Sequence, residues 1–374
     1  MKKSYSIRLK RRKNNTWKIV LIAAVAAAVI FTLVYFIFFS GRGREEEKPL
    51  DVVSIIDIDS TAVTAETTDI SERQNEARIR SNSINYPYAF ENEIIYSSRR
   101  NGKGGFKRLI IYTIDKASEK EYTVSAKYNN INGLVMNSDY IAFLDSSETG
   151  GGRICVVDRK TGEQKSVKDY AYAMPKLVLV GNKLVFMQQA GTSTDRLYIY
   201  DMDTGESVCA KVFEGTVGLN GGVSADGNSI MYSVLYYEDD VLKSHITEID
   251  LSTGTETSYD WERYAYAPQK NNGRIVFLSS ASGVPDDLYI SENGETPYLL
   301  ESDVTNMQVG EGFVAYTKDD VIYAYVFQTG RRYKLSKDIS KGLLQMVNGN
   351  IVLWYDVTSY LDVDAIKYMD FRWD

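Results

Sequence analysis

The sequence predicts an all-β chain, a seven-bladed β-propeller of four-stranded antiparallel blades preceded by one N-terminal transmembrane helix. Three observations predict it. A short apolar run recurs seven times at near-constant spacing, a second run with its own hairpin turn follows it, and one stretch of 21 residues near the start carries no charge.

The repeating unit is plainest in 181–208, GNKLVFMQQAGTSTDRLYIYDMDTGESV. Its two runs, Lys183 to Met187 and Arg196 to Tyr200, are rich in β-branched and aromatic residues and read as strands. Asp201-Met-Asp-Thr-Gly-Glu206 then reads as a hairpin turn, because Asp caps its own backbone two residues on and Gly accepts the left-handed conformation. Aligning the first run on its second residue gives Ile94, Ile141, Leu184, Ile230, Ile275, Val314 and Ile351, at spacings of 47, 43, 46, 45, 39 and 37. The second run returns at Arg108–Tyr112, Arg153–Val157, Asp287–Ile290 and Val321–Tyr325, and the turn at Asp158–Glu163, Asp250–Thr255 and Gln328–Gly330. A period near forty with several strands per unit is the signature of a propeller, whose blades hold four strands. An irregular sandwich would not repeat so regularly.

The last repeat is one strand short. After Ile351 to Tyr355 and Ala365 to Tyr368 the chain ends, whereas Ala77 to Ile84 precedes the first innermost strand with nothing to pair with. The N-terminal segment is therefore expected to supply the outer strand of the seventh blade, so that only short edges stay exposed.

These repeats resemble the WD-repeat-like propellers of the TolB translocation proteins and of the non-catalytic domain of the prolyl oligopeptidase family. The closest local match is Val223-Ser-Ala-Asp-Gly227, similar to that family's S-P-D-G element with Ala for Pro. The resemblance covers about three quarters of the chain and implies a non-catalytic propeller. Two departures stand out: neither TolB's small N-terminal α/β domain nor the peptidases' hydrolase domain is visible.

Residues 1–18 carry eight Lys or Arg and no acid, and residues 19–39 follow as an apolar stretch. Twenty-one residues at about 1.5 Å each cross roughly 30 Å of hydrocarbon. Trp17 and Tyr35 suit the two interfaces, and the positive flank puts the N-terminus in the cytoplasm and the propeller outside. The lipid bilayer is thus one expected partner, through residues 19–39. A cleavable signal peptide is the alternative, but the run exceeds the roughly 7–15 residues of such segments and no small-residue cleavage motif follows. Residues 40–76 read as an acidic, Thr-rich linker with a span of about 33 Å if flexible, and residues 77–374 as the extracytoplasmic propeller. Asp51 to Asp59 within the linker is a possible strand without an obvious mate.

Taking the eight N-terminal cations from 43 Lys and Arg leaves 35 against 50 Asp and Glu, a net charge of -15 beyond residue 18. Such a domain is a poor partner for nucleic acid. Its two cysteines, Cys155 and Cys209, make no disulfide framework and suit a bacterial envelope protein. The chain's one histidine, His245, falls on a strand with no G-x-S-x-G elbow to accompany it, and reads as structural. Gly150–Gly152 and Gly221–Gly222 precede strands rather than helices, so they are turns and not phosphate loops. Asp57/Asp59 and Asp201/Asp203 lack the Gly and bidentate Glu of a calcium loop. No cofactor, metal or catalytic residue is expected.

One constellation remains. In a propeller the loops entering the innermost strands and those between second and third strands open on one face. The first set reads Tyr86-Pro-Tyr88, Tyr170-Ala-Tyr172-Ala-Met-Pro175 and Tyr264-Ala-Tyr266-Ala-Pro268; the second offers Asp195, Asp240, Asp287, Asp320 and Asp362. Aromatic faces and carboxylates on one rim would bind a glycan, a peptide or a cationic protein. The same residues also fit a structural reading, with tyrosines wedged between blades and aspartates capping strands. The expected function is a membrane-anchored scaffold that binds an envelope protein or glycan on a rim facing away from the membrane. The alternative is a propeller lyase or hydrolase acting on extracellular polymer with channel carboxylates.

Overall fold

The N-terminal segment starts the fold with two three-residue strands, β1 (Thr67–Asp69) and β2 (Asn75–Ala77), around a 3-10 turn at Ser71–Arg73. The first repeat follows as β3 (Ile84–Phe90), β4 (Glu93–Arg100), β5 (Lys103–Thr113) and β6 (Ser118–Tyr122). The second is β7 (Ile131–Met136), β8 (Tyr140–Ser146), β9 (Gly152–Asp158) and β10 (Gln164–Tyr170). The third is β11 (Leu177–Val180), β12 (Lys183–Gln189), β13 (Thr194–Asp201) and β14 (Ser207–Glu214), and the fourth β15 (Ser224–Asp226), β16 (Ser229–Glu238), β17 (Val241–Asp250) and β18 (Glu256–Tyr259). Then come β19 (Ala265–Asn271), β20 (Arg274–Ser279), β21 (Asp286–Glu292), β22 (Tyr298–Gly310), β23 (Phe313–Lys318), β24 (Val321–Val326) and β25 (Arg331–Lys334). The last are β26 (Lys341–Asn348), β27 (Ile351–Ser359) and β28 (Asp362–Asp370). This computed structural model describes residues 62–372, apart from short stretches at 78–83, 101–102, 172, 191–193, 215–221, 239–240, 262–263, 280–285, 338–340 and 360–361. The expected membrane helix at 19–39 lies outside the described residues, and among those described no helix is long and apolar enough to cross a membrane.

The first-run strands are β4, β8, β12, β16, β20, β23 and β27, and each is the second strand of its repeat. Their marker residues are buried, from Ile94 at 0% to Ile351 at 8% exposed, which explains why this run gave the clearest periodicity. The Asp-x-x-Thr-Gly turns form as the residue types require. Asp201 Oδ1 accepts from the backbone N–H groups of Asp203 and Thr204, both at 3.0 Å, and Gly205 takes φ +73. Asp250 does the same for Ser252 and Thr253, with Gly254 at φ +72.

The sheets form an all-β propeller of four-stranded antiparallel blades, but five of these stand separate, not the seven expected. The fifth and sixth repeats share one eight-stranded sheet, ordered β1-β25-β24-β23-β22-β21-β20-β19. The physical reason is β22. Its 13 residues contain no turn-forming Gly or Pro before Gly310, so the strand pairs with β21 up to Val304 and with β23 from Val304 onward. Asp303, at φ +63, bends it between the two partners.

Seven apolar clusters hold the repeats together, one between each successive pair. The cluster that returns the last repeat to the first joins Leu353, Ile366 and Tyr368 to Ala89, Ile94 and Tyr96. Closure is reinforced at the edge, where β2 pairs antiparallel with β28 through Asn75 with Tyr368 and Ala77 with Ile366. Upstream, β1 pairs in parallel with β25, and the Val63 N–H donates to the Leu299 carbonyl at 3.4 Å. A single segment from Val63 to Ala77 thus straps the outer edges of three consecutive repeats. Buried Ile70 anchors it in the cluster around Trp354 and Phe371.

Candidate functional site

The innermost strands β3, β7, β11, β15, β19, β22 and β26 surround a cavity of about 810 Å³ on the propeller axis. Two of these strands carry polar runs into the lining, Ser224–Asp226 of β15 and Gln269–Asn271 of β19, whereas β11 (Leu177–Val180) is wholly apolar. Five of the innermost strands shift register against their second strands, between Asn85 and Tyr88, Asn132 and Val135, Tyr266 and Gln269, Val304 and Asn306, and Leu344 and Met346. Bulges of this kind relieve crowding where strands converge on an axis.

Side chains near the axis bond across six of the seven boundaries between repeats. Ser97 Oγ donates to the Ile131 carbonyl at 2.7 Å, Asn137 Nδ2 to Gly181 at 2.9 Å, Ser224 Oγ to Pro268 at 2.6 Å, Asn306 Nδ2 to Leu344 at 2.7 Å and Asn348 Nδ2 to Ala89 at 3.0 Å. Gln269 Oε1 accepts from the Val309 N–H at 2.8 Å. Ser224 belongs to the Ser-Ala-Asp-Gly element singled out in the sequence, whose serine therefore bridges repeats while its Asp226 lines the cavity. Such fully used polar groups fix the frame of the channel.

The charged groups of the wall differ in kind. Lys270 Nζ lies 2.6 and 2.8 Å from the two oxygens of Glu248, which Tyr259 also bonds at 3.0 Å. Burial raises the Asp226 carboxyl above its ordinary range, with Lys270 partly offsetting it. Burial pushes the Tyr88 phenol up to about 12, against a hydrogen bond with Asn348, so it is neutral at any working pH. Lys176 and Glu311 complete the charged lining.

The structure distributes the residues expected on the Tyr/Asp rim among several environments. Tyr86-Pro87-Tyr88 and Tyr266–Pro268 are not entry loops but parts of the innermost strands β3 and β19, and Tyr88 lines the channel. Tyr170 ends β10, is 4% exposed and shares a 2.6 Å hydrogen bond with Ser146 Oγ. Tyr264 and Tyr266 are brought together, with ring centroids 5.6 Å apart. Burial and then a hydrogen bond with Asp286 raise the Tyr266 phenol pKa. Asp195 is the second residue of β13, where burial raises its pKa, Asp287 lies in β21, and Asp320 takes φ +62 in the β23–β24 turn. Tyr172 and Asp240 lie outside the described residues, as do the side chains of Tyr86 and Asp362.

Sequence reasoning placed carboxylates in a central channel only for the enzymatic alternative and did not pick out the residues that line the axial cavity. Its signal was there: the first hairpin of each repeat turns on small polar residues, as in Asp226-Gly-Asn228, Asn271-Asn-Gly273 and Asn348-Gly-Asn350. These tips ring one mouth of the channel.

Solved structures with this architecture are propellers. The β-propeller domain of the trilobed protease from Pyrococcus furiosus, described as having an open velcro topology, matches at a TM-score of 0.57 and 14% identity over 75% of this chain and 93% of that one. Oligogalacturonate lyase from Vibrio parahaemolyticus matches at 0.55 and 13%, over 82% and 97%. Acylaminoacyl peptidase from Pyrococcus horikoshii matches at 0.53 and 16%, over 73% of this chain and 49% of its own, so the present chain spans about half its length. At these identities the likeness is one of fold. No family model matches the chain, and no curated protein matches it.

Proposed function

We propose that this chain is a TolB-like binding module, anchored in the plasma membrane through residues 19–39, that receives an envelope protein or glycan at its axial cavity outside the cytoplasm. The observation that carries the reading is the cavity of about 810 Å³, within the range of small-ligand and peptide sites and framed by hydrogen bonds across six of the seven repeat boundaries. A rigid frame lowers the ordering cost of binding. Tyr264, Tyr266, Asp195, Asp287 and Asp320, at the ends of strands around the entry side, form a secondary contact surface, with Tyr86, Tyr172 and Asp240 completing it. The charge-free run and basic flank at the N-terminus support the anchor.

The test plugs the channel without touching the frame. Gln345 lines the cavity and, among the described residues, its side chain bonds within its own strand, to the Leu343 carbonyl at 3.2 Å, so Gln345→Trp fills space at little cost. Full-length protein in detergent-solubilised membranes, crosslinked to its neighbours, is expected to lose its partner in this variant. Capture that survives Gln345→Trp but fails on Tyr266→Ala would move the site to the rim, and capture unaffected by either would end the proposal.

One observation favours an enzymatic reading: Asp226 and Glu311 both line the channel, and a lyase or hydrolase needs two such carboxylates. Release of fragments from envelope polysaccharide by the full chain, abolished in Asp226→Asn and in Glu311→Gln, would favour it over simple binding.

A further inference from the structure

We propose that the strap runs on past Val63. Asp51 to Asp59, which lie outside the described residues, add to the outer edge of the fourth repeat, with Ile56 seated in the seam between the fourth and fifth repeats. This stands apart from whatever the axial cavity receives.

The strap keeps a regular count. Ala77 lies in the cluster between the last and first repeats, Ile70 in the cluster between the sixth and seventh, and Val63 packs on the cluster between the fifth and sixth. These three residues are seven positions apart, one seam for each step. The residue before each of them, Glu76, Asp69 and Ala62, is exposed, so the anchors alone turn inward. Seven positions before Val63 stands Ile56, within Asp51-Val-Val-Ser-Ile-Ile-Asp-Ile-Asp59, the run that reads as a strand without a mate. Seven extended residues reach about 24 Å. The strap is already beside the next seam, because the Val63 N–H donates to the carbonyl of Leu299, whose side chain belongs to the cluster of Met231, Ile246 and Phe277.

The receiving edge is laid out like one that the strap covers. In the sixth repeat β1 lies parallel to β25, with Thr67 beside Arg332 and Asp69 beside Lys334, and the Ile70 N–H then donates to the Lys334 carbonyl at 3.0 Å. Counted from the turn glycines Gly330 and Gly254, the equivalent positions of β18 are Glu256–Ser258. All three are exposed, and among the described residues no strand covers β18 on its outer side. Just beyond them Tyr259 and Trp261, both partly buried, stack at 5.6 Å and pack on the seam cluster, which gives Ile56 an apolar seat. Residues 53–55 thus take the place beside β18 that β1 takes beside β25, and occupy an edge that would otherwise template pairing with another chain. A pull on the N-terminus is then met at the fourth repeat before it reaches the pairing of β2 with β28.

The test is hydrogen exchange, read by mass spectrometry on the full chain in detergent. Peptides covering Glu256–Tyr259 are expected to exchange about tenfold or more slowly in the wild type than in Ile56→Asp. Ile56→Val should keep the protection. Ile55→Asp should keep it too, because the adjacent side chain points to the opposite face. Exchange in β24 and β27 as slow as in the wild type shows that Ile56→Asp leaves the ring intact; should it not, Ile56→Ser is read in its place. Equal exchange of Glu256–Tyr259 in the wild type and Ile56→Asp overturns the inference, and so does an equal effect of Ile55→Asp. Protection that fades on dilution assigns the edge to a second copy of the chain and overturns it likewise.

Discussion

The Glu301 carboxylate, 8% exposed, accepts a 2.6 Å hydrogen bond from Lys318 Nζ across the junction of the fifth and sixth repeats. Arg332 reaches its other oxygen at 2.6 Å and the buried Tyr316 hydroxyl donates to the same oxygen at 3.2 Å. One carboxylate from the β21-facing part of β22 thus ties down three side chains of the next repeat, where the sheet runs on without a turn.

Glu301→Gln removes the charge and leaves two cations close together in a partly buried site. The variant is expected to lose roughly 3 kcal/mol, the typical cost of breaking a buried pair by removing one partner. A urea titration measures this; a change under about 0.5 kcal/mol would show that the cluster is solvated like a surface pair.

The strap offers a contrast between apolar and ionic contacts. Ile70, 9% exposed, packs against the cluster of Trp354 and Phe371, whereas Glu76 meets Lys367 at 2.6 Å with its own side chain 47% exposed. Ile70→Ala is expected to cost about 2–4 kcal/mol, and Glu76→Gln less than about 1 kcal/mol. If the two variants shift the urea midpoint equally, burial is not what holds the strap.

His245 sets the response of stability to mild acid. Burial lowers its pKa, Asp260 partly offsetting this and Lys211 adding to it, and its ring lies 5.6 Å from that of Tyr236. The folded state disfavours the imidazolium, so the unfolded chain binds the proton more readily. Stability is therefore full above the ordinary histidine pKa of about 6.5 and declines as pH falls from there toward the folded pKa. The urea midpoint should be lower at pH 5.5 than at 7.5. Since this is the chain's one histidine, His245→Gln should flatten that step.

The hairpin aspartates act in stronger acid. Backbone N–H groups hold the Asp158 and Asp201 carboxyls below their ordinary range, and Ser252 does the same for Asp250, first through its hydroxyl and then its backbone. Lowered folded pKa values give stability that is present above about pH 4 and lost as pH falls through the folded values. The triple Asp→Asn variant should show a shallower loss of stability between pH 5 and pH 2. An identical slope would assign acid unfolding to other carboxylates.

How much of this was legible in sequence depended on which surface a strand faces. Ile94, Leu184 and Ile275 lie between two sheets, so their runs are apolar on both faces and announced themselves. Asp201 and Gly205 encode their turn locally and were read correctly. Among the innermost strands, Ser224–Asp226 and Gln269–Asn271 line the axis and carry no apolar pattern, so they were illegible, whereas the apolar Leu177–Val180 was short enough to pass unread. The fused sheet went unread because its one signal in Tyr298–Gly310 is a missing turn, and the absence of Gly or Pro does not by itself say that one strand serves two repeats. Tyr170 looked like a binding residue until its burial beside Ser146 was visible.

The pairing of β2 with β28 brings together residues as far apart in the chain as Glu76 and Lys367, 291 positions. Joining ends so distant costs about 3.5 kcal/mol more loop entropy than a five-residue hairpin, which delays this seam beyond every other in the sheet order. On a ribosome adding about 5–20 residues per second, β2 waits roughly 15 to 60 s for its mate. Throughout that interval the apolar face of Ala89, Ile94 and Tyr96 has no cover. The seam that closes the ring is thus the one whose apolar face stays open longest while the chain is being made.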